Sequence, residues 1–307
     1  MPGLKEVRIR IASVKSTRQI TSAMKMVSAS KLKRAQNAIL KMRPYSGKLK
    51  EILENLSSNQ SNVESVYLKE KKIHNVLIIA VTSNRGLCGA FNTNVVKTAV
   101  NQLHSKYNDL YRNTRLTACL PVGRDGQGNV DIICIGKKGA DFLVKRKYNV
   151  IETHTQIFDS LTFEKVSPIA ESVMKVFAQG KYDRVEVVYN QFKNAGVQIL
   201  TTEQFLPVVQ SKPAKDKTKL LSYYIFEPGK AQIIAELIPK SLKIQFYKIL
   251  LDSFASEHGA RMTAMHKATD NADNLLKELK LSYNKARQAS ITKEILEIVG
   301  GAEALKG

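Results

Sequence analysis

Apolar and small residues recur in threes and fours at both ends of this chain and gather into unbroken blocks in its middle. Toward the C-terminus, Met265, Ala268, Ala272, Leu275, Leu279, Ser282, Ala286 and Ala289 keep an alternating three-four spacing, the signature of one helical stripe repeated by heptads. No proline follows Pro239, and only Gly259 weakens the helical run between Lys240 and Val299. A helix of about 60 residues would be roughly 90 Å long at ~1.5 Å per residue. The stripe is built from Ala and Ser rather than Leu, so a partner helix must approach closely.

The other end supplies a partner. Leu4, Val7, Ile11 and Val14 step 3-4-3, Met24 and Val27 resume the spacing, and Ile39, Met42, Ser46, Leu49, Leu53 and Leu56 carry it on. Pro44 removes one backbone donor inside this stretch, which predicts a kink or a break there. Residues 1–57 and 230–307 are therefore expected to be long helices that pair as an antiparallel coiled coil.

The middle segment, 73–229, has a different pattern. Val76–Thr82 is a continuous β-rich apolar run, expected as a buried strand. The turn Ser83–Ala90 leads to a helix over about Asn92–Lys106. Val130–Ile135 reads as a strand, followed through Gly136 by a helix near Lys138–Lys145. Glu164–Gln179 reads as a helix and Arg184–Tyr189 as a strand, and the alternating Val197–Leu206 as an antiparallel edge. Strands alternating with helices predict a small, mostly parallel, Rossmann-like sheet. The fold class is α/β, with a coiled coil attached to the head. Asn113–Asn129 and Ser211–Lys219 read as exposed loops.

Charge narrows the function. The chain of 307 residues carries a formal charge of +21. Its first 50 residues hold 13 Lys and Arg against one acid, Glu6. Such a basic helix implies an anionic partner: nucleic acid, a membrane surface or an acidic protein surface. Aromatic residues that would stack on bases are not interleaved with the basic ones, and no basic-zipper layout is present. Tryptophan is absent and the apolar face is modest, which weighs against a membrane-surface helix. Charge alone leaves the three open. No apolar run approaches the ~20 residues of a membrane span, and the charged N-terminal helix is unlike a secretory signal. Cys88, Cys119 and Cys134 are odd in number and lack metal-ligand spacing, which suggests free thiols in a reducing compartment.

Candidate chemistry is sparse. Gly86 and Gly89 lie between strand and helix, where a phosphate cradle would sit. The P-loop spacing and its Gly-Lys-Ser/Thr ending are missing, so a tight turn explains them better. Cys88 has no neighbour in sequence to activate it as a nucleophile. The five histidines are scattered, and Asp270 and Asp273 fall on what reads as a solvated helix face. No active site, metal site or cofactor is expected. The residues describe a mechanical or scaffolding part.

Three stretches carry a resemblance to a known family. Ile291-Thr-Lys-Glu-Ile-Leu-Glu-Ile-Val-Gly-Gly-Ala-Glu-Ala304 resembles the C-terminal signature of the γ subunits of F-type ATP synthases. Arg261–Ala272 and Tyr283–Ile291 resemble the run that precedes it. Ile11–Val27 and Lys31–Ala35 are similar to the family's N-terminal helix. Ser83–Asn92 is similar to a loop of its central domain, where Asp is commoner than Asn84.

The resemblance implies a non-catalytic rotor shaft. Its coiled coil would stand inside a hexamer of α and β subunits, and its head would sit on the membrane c-ring with an ε subunit beside it. Turning the shaft would drive the β sites through successive affinities for ADP, phosphate and ATP. By family matching, Met24 and Lys25 would lie near acidic lever loops of β. Arg287, Gln288, Thr292 and Glu294 would supply polar contacts to the hexamer, with Arg261 on the coiled coil facing the same region. Cofactors are none, and nucleic acid is not expected as a partner.

Two departures qualify the resemblance. The 113–129 loop is longer than in the simplest members. Cys119 and Cys134 are 15 apart, unlike the regulatory cysteine pair of plastid members. The chain starts Met-Pro-Gly directly before its first helix, which is read as the lack of a transit peptide. The expected location is peripheral, on the cytoplasmic face of a bacterial inner membrane, with the matrix side of the mitochondrial inner membrane as alternative. The rival class is a basic coiled-coil nucleic-acid-binding protein.

Overall fold

The computed structural model describes residues 4–57, 66–67, 71–108, 110, 129–208 and 230–304. They form two compact units, one of Met1–Ser30 with Arg261–Gly307 and the other of Lys31–Ala260. The loop expected over 113–129, apart from Asn129, lies outside the described residues, as do the Ser211–Lys219 loop and Cys119.

The second unit is built on a five-stranded sheet. Its strands are β1 (Val76–Val81), β2 (Val130–Ile135), β3 (Val150–His154), β4 (Arg184–Phe192) and β5 (Gln198–Leu206), ordered β3-β2-β1-β4-β5. All pairs are parallel except β4 with β5, the edge that the alternating pattern predicted as antiparallel. The helices of this unit include α2 (Phe91–Ser105), α3 (Lys137–Lys145) and α4 (Phe163–Ala178).

Side chains alternate across a strand, so the apolar runs of β1 and β2 feed two cores at once. Leu77, Ile79, Val81, Val187 and Phe205 pack on α4 through Val166, Ala170, Val173 and Phe177. The same core takes in Ile238, Leu242, Phe246, Ile249 and Leu250 from α5 (Lys230–Ala304). On the opposite face Val76, Ile78, Ala80, Ile132 and Cys134 pack on Val95, Ala99 and Leu103 of α2 and Leu143 of α3. Each such Val, Leu, Ile or Phe contributes roughly 1.5–3 kcal/mol on full burial.

Sequence periodicity did not reveal β3. Its residues are exposed or half-buried throughout, because it lies at the sheet edge beside β2 and has no apolar face to advertise itself. Pro44 does not break α1 (Leu4–Ser57), which is helical through it. Gly259, the weak point of the C-terminal run, is helical for a packing reason. A Cβ there would stand 3.0 Å from the backbone oxygen of Ala195 in the β4–β5 turn.

In the first unit, α1 and α5 run antiparallel: as positions on α1 rise from Arg8 to Arg18 to Thr21, their partners on α5 fall from Tyr283 to Asp273 to Thr269. The inward positions of α1 are Leu4, Val7, Ile11, Val14, Thr21, Lys25 and Ser28. This corrects the expected return of the stripe at Val27, which is 57% exposed while Ser28 is 2% exposed. The heptad register holds, but polar residues occupy it after Val14, so an apolar search slips to the neighbouring position. On α5, Met265 and Ala272 are buried as expected, whereas Ser282 is exposed and Tyr283 takes the inward place. A helix with 3.6 residues per turn drifts from a strict heptad by ~20° per repeat.

Gly136 illustrates how tightly β2 passes into α3. Its φ is +102°, and a Cβ would lie 2.2 Å from the backbone oxygen of Thr82. Gly136→Ala is expected to cost about 3 kcal/mol or more, combining backbone strain with a clash against main chain. Denaturant unfolding of wild type and variant checks this; equal midpoints would refute it.

Candidate functional site

Two places had drawn attention in the sequence: the glycine turn of the head and the surface of the terminal helices. The turn proves to be closed by its own residues. Asn92 Oδ1 accepts the Ser83 N–H at 2.9 Å, and Asn92 Nδ2 donates to Ser83 Oγ at 2.8 Å and reaches Cys88 Sγ at 3.3 Å. Gly89 and Leu87 take positive φ, at 60° and 62°, so the glycine serves the tight turn. Cys88 is 2% exposed, a small packed side chain as expected.

The neighbouring N-terminus of α3 is also filled. Its first three amides donate in order to Asn84 Oδ1 at 3.1 Å, the Ser83 carbonyl at 3.0 Å and Thr82 Oγ1 at 3.0 Å. Those donors are what a phosphate would need. Asn84 also donates to the Thr155 carbonyl at 2.6 Å, a bond that needs an amide and not a carboxylate. These capping roles were not visible in the sequence, because Thr82, Ser83 and Asn84 act on residues more than fifty positions away. Burial alone pushes the Cys134 thiol up to about 12, so it stays protonated; neither Cys88 nor Cys134 is joined in a disulfide.

The helical surface of the first unit is different. Met24 and Lys25 are half-buried on α1, with the Met24 carbonyl accepting from Ser28 Oγ at 2.8 Å. Arg261 is buried, at 6% exposure. Arg287, Gln288, Thr292 and Glu294 are all exposed on one stretch of α5. Thr292 Oγ1 donates to the Gln288 carbonyl at 2.9 Å, and Ser290 Oγ to Glu294 Oε1 at 3.3 Å. The structure thus brings four of the seven residues together and sets Met24 and Lys25 on the opposing helix. Between these groups lies a pair that the sequence did not single out. An Arg8 guanidinium nitrogen donates to the Tyr283 hydroxyl at 2.9 Å, holding that phenol below its ordinary range, with Arg287 adding to the effect.

Beyond the paired region α5 is bare. Every residue from Ile291 to Glu303 is exposed, including Ile291, Ile295, Leu296, Ile298 and Val299 at 48–72%. On α1, Ile9, Ile20, Met26 and Val27 are also more than half exposed. Apolar surface of this extent marks an interaction site. Among the described residues no helix is long and apolar enough to cross a membrane, and no group of three His, Cys, Asp or Glu is placed to hold a metal ion.

A family model described as ATP synthase matches residues 3–305. The ATP synthase gamma chain of Flavobacterium psychrophilum is 56% identical over 308 residues, covering 100% of both chains. The chain belongs to the ATP synthase gamma chain family. The gamma chain of Cytophaga hutchinsonii is 54% identical over 99% of each chain. A chain of the Euglena gracilis mitochondrial ATP synthase has the same fold, with a TM-score of 0.67 and 21% identity over 98% of this chain and 94% of that one.

A gamma chain is a non-catalytic subunit of its complex. The nucleic-acid alternative rested on charge alone, and the full-length family match replaces it. Asn92→Ala should leave the Ser83 amide without its acceptor, while the Ser83 hydroxyl keeps its bond to the Arg85 carbonyl, and cost ~1–3 kcal/mol. Thermal unfolding of the full chain measures it, and an unchanged melting temperature would mean that the turn is held elsewhere.

Proposed function

We propose that the chain is the central-stalk rotor of a proton-translocating F-type ATP synthase. In this reading residues 1–57 and 230–307 are the shaft within a hexamer of α and β subunits. Residues 73–229 are the head, meeting the ε subunit and the membrane c-ring. The complex lies at the cytoplasmic face of a bacterial inner membrane, in keeping with the bacterial relatives.

The observation that carries this reading is the bare end of α5. Five large apolar side chains are exposed along Ile291–Val299, and their spacing of threes and fours puts Ile291, Ile295 and Ile298 on one face. A monomer would not present such a stripe to water; a surrounding sleeve of protein would cover it. An apolar stripe is also suited to sliding, because its attraction is non-directional and roughly proportional to area. A chain of the Euglena gracilis mitochondrial ATP synthase rotor has the same fold, with a TM-score of 0.64 and 19% identity.

Torque needs directional contacts as well. Met24 and Lys25 on α1 would meet acidic loops of β, Met24 through an adaptable thioether and Lys25 through charge. Arg287, Gln288, Thr292 and Glu294 would exchange hydrogen bonds with the hexamer as the shaft turns, and Arg261 would brace the coiled coil behind them. Hydrogen bonds to charged groups such as Arg287 and Glu294 have a net worth of ~1.5–3 kcal/mol and neutral ones ~0.5–1.5 kcal/mol, enough to register an angle and weak enough to release it.

Met24→Lys would put a second cation beside Lys25. In reconstituted vesicles it should lower proton pumping per ATP hydrolysed while subunit assembly stays normal; an unchanged ratio removes Met24 from the coupling path. The double change of Arg287 and Gln288 to Ala should lower assembled complex or its ATPase rate at least several-fold, with the isolated chain melting as before. Normal assembly and turnover with a less stable isolated chain would return these residues to the coiled coil's own structure.

A further inference from the structure

The two helices of the first unit bury little apolar surface against each other. Among its described residues, Val7 of α1 and Met265 and Ala272 of α5 are the buried hydrophobic side chains. No residue of α1 between Val7 and Ser28 is buried. Apolar attraction is non-directional, and contacts this few do not choose one register over its neighbours. Polar cross-links do choose. Arg8 and Arg18 are ten positions apart, and so are their partners Tyr283 and Asp273. The Thr21–Thr269 contact keeps the same stagger, three positions on against four back.

These links are not equivalent. Thr21 Oγ1 also lies 3.0 Å from the Arg18 carbonyl, and Thr269 Oγ1 2.8 Å from the Met265 carbonyl. A hydroxyl has one proton to give, so a bond across the helices competes with these. Arg18 Nε meets Asp273 Oδ1 directly, at 2.5 Å. Arg18 also holds the stripe position one heptad after Ile11 and one before Lys25. A slip of three positions would set it against Asp270 instead. Asp270 already lies 3.4 Å from His266 of its own helix, and the slip would part Arg8 from Tyr283.

We propose that the Arg18–Asp273 ion pair is the positioning element of this coiled coil, fixing the register of α1 on α5 and so aiming Met24 and Lys25. The aim, though not the register, rests on the rotor reading above. The two side chains are 46% and 40% exposed, and an exposed ion pair adds little to stability. Its effect is to select an alignment, much as a polar pair selects register in other coiled coils.

The test reads register directly. In the full chain, with Cys119→Ser to remove a third thiol, Thr21→Cys and Thr269→Cys place two thiols where hydroxyl oxygens lie 2.9 Å apart. Cys88 and Cys134 are buried. Adding Arg18→Ala or Asp273→Ala should at least halve the rate of oxidative cross-linking while the melting temperature barely moves. The charge-swapped pair, Arg18→Asp with Asp273→Arg, should restore the rate, and screening by salt should erase the difference between parent and Ala variants. An unchanged rate in either Ala variant, a swap no faster than Ala, or a loss of cross-linking that only tracks a loss of melting temperature overturns the positioning role. In the assembled complex the Ala variants should lower proton pumping per ATP hydrolysed, and the swap should recover it. Unchanged pumping beside a slower cross-link sustains the register and removes Met24 and Lys25 from the coupling path, so the two failures are told apart.

Discussion

The head depends on a part of the chain that is not in the head's own stretch of sequence. One face of the sheet, with Leu77, Ile79, Val187 and Phe205, is closed by α4 together with Ile238, Leu242, Phe246, Ile249 and Leu250 of α5. Phe246 is fully buried and lies 5.5 Å, ring centre to ring centre, from Phe205. Strands β1 and β2 are apolar on both faces, so neither face can be left to water. The sheet and the C-terminal helix must therefore form together. The C-terminal helix belongs to the same folding problem as the middle.

That dependence also explains the buried polar residues of α5. The helix packs first on a sheet and then, further along, on another helix. Asp252, Ser253, Ser256, Glu257 and His258 are all buried just before the second unit ends at Ala260. A purely apolar helix would pack there with little regard to rotation. Polar groups that need particular partners restrict it to one orientation, as Glu203 does by engaging both Tyr189 and Gln245.

Legibility in the sequence followed burial. β1 and β2 were readable because both faces are covered and every residue but Asp131 is apolar. β3 was not, since an exposed edge needs no apolar signal. The α1 stripe could be followed as far as Val14 and again from Ile39. In between, Thr21, Lys25 and Ser28 hold the inward positions; Thr21 meets Thr269 of α5, and Ser28 bonds back to the Met24 carbonyl of its own helix. The candidate interface was readable as motif, and the structure explains why: Arg287, Gln288, Thr292 and Glu294 contribute little to the interior, so packing does not dictate their identity. The Arg8–Tyr283 contact, 275 positions apart, leaves no local pattern at all.

The capping of α3 has a wider consequence. The head has the strand-turn-helix topology on which many proteins bind nucleotides. Here the three leading amides of the helix are spent on Thr82, Ser83 and Asn84, and the adjoining turn is bound up by Asn92. A phosphate would have to break each of these bonds to gain one of its own. At this turn, then, the amides that a phosphate would seek already belong to the protein. The topology of a binding module is used here as a brace, tying the end of β1 to the start of α3 across more than fifty residues of chain.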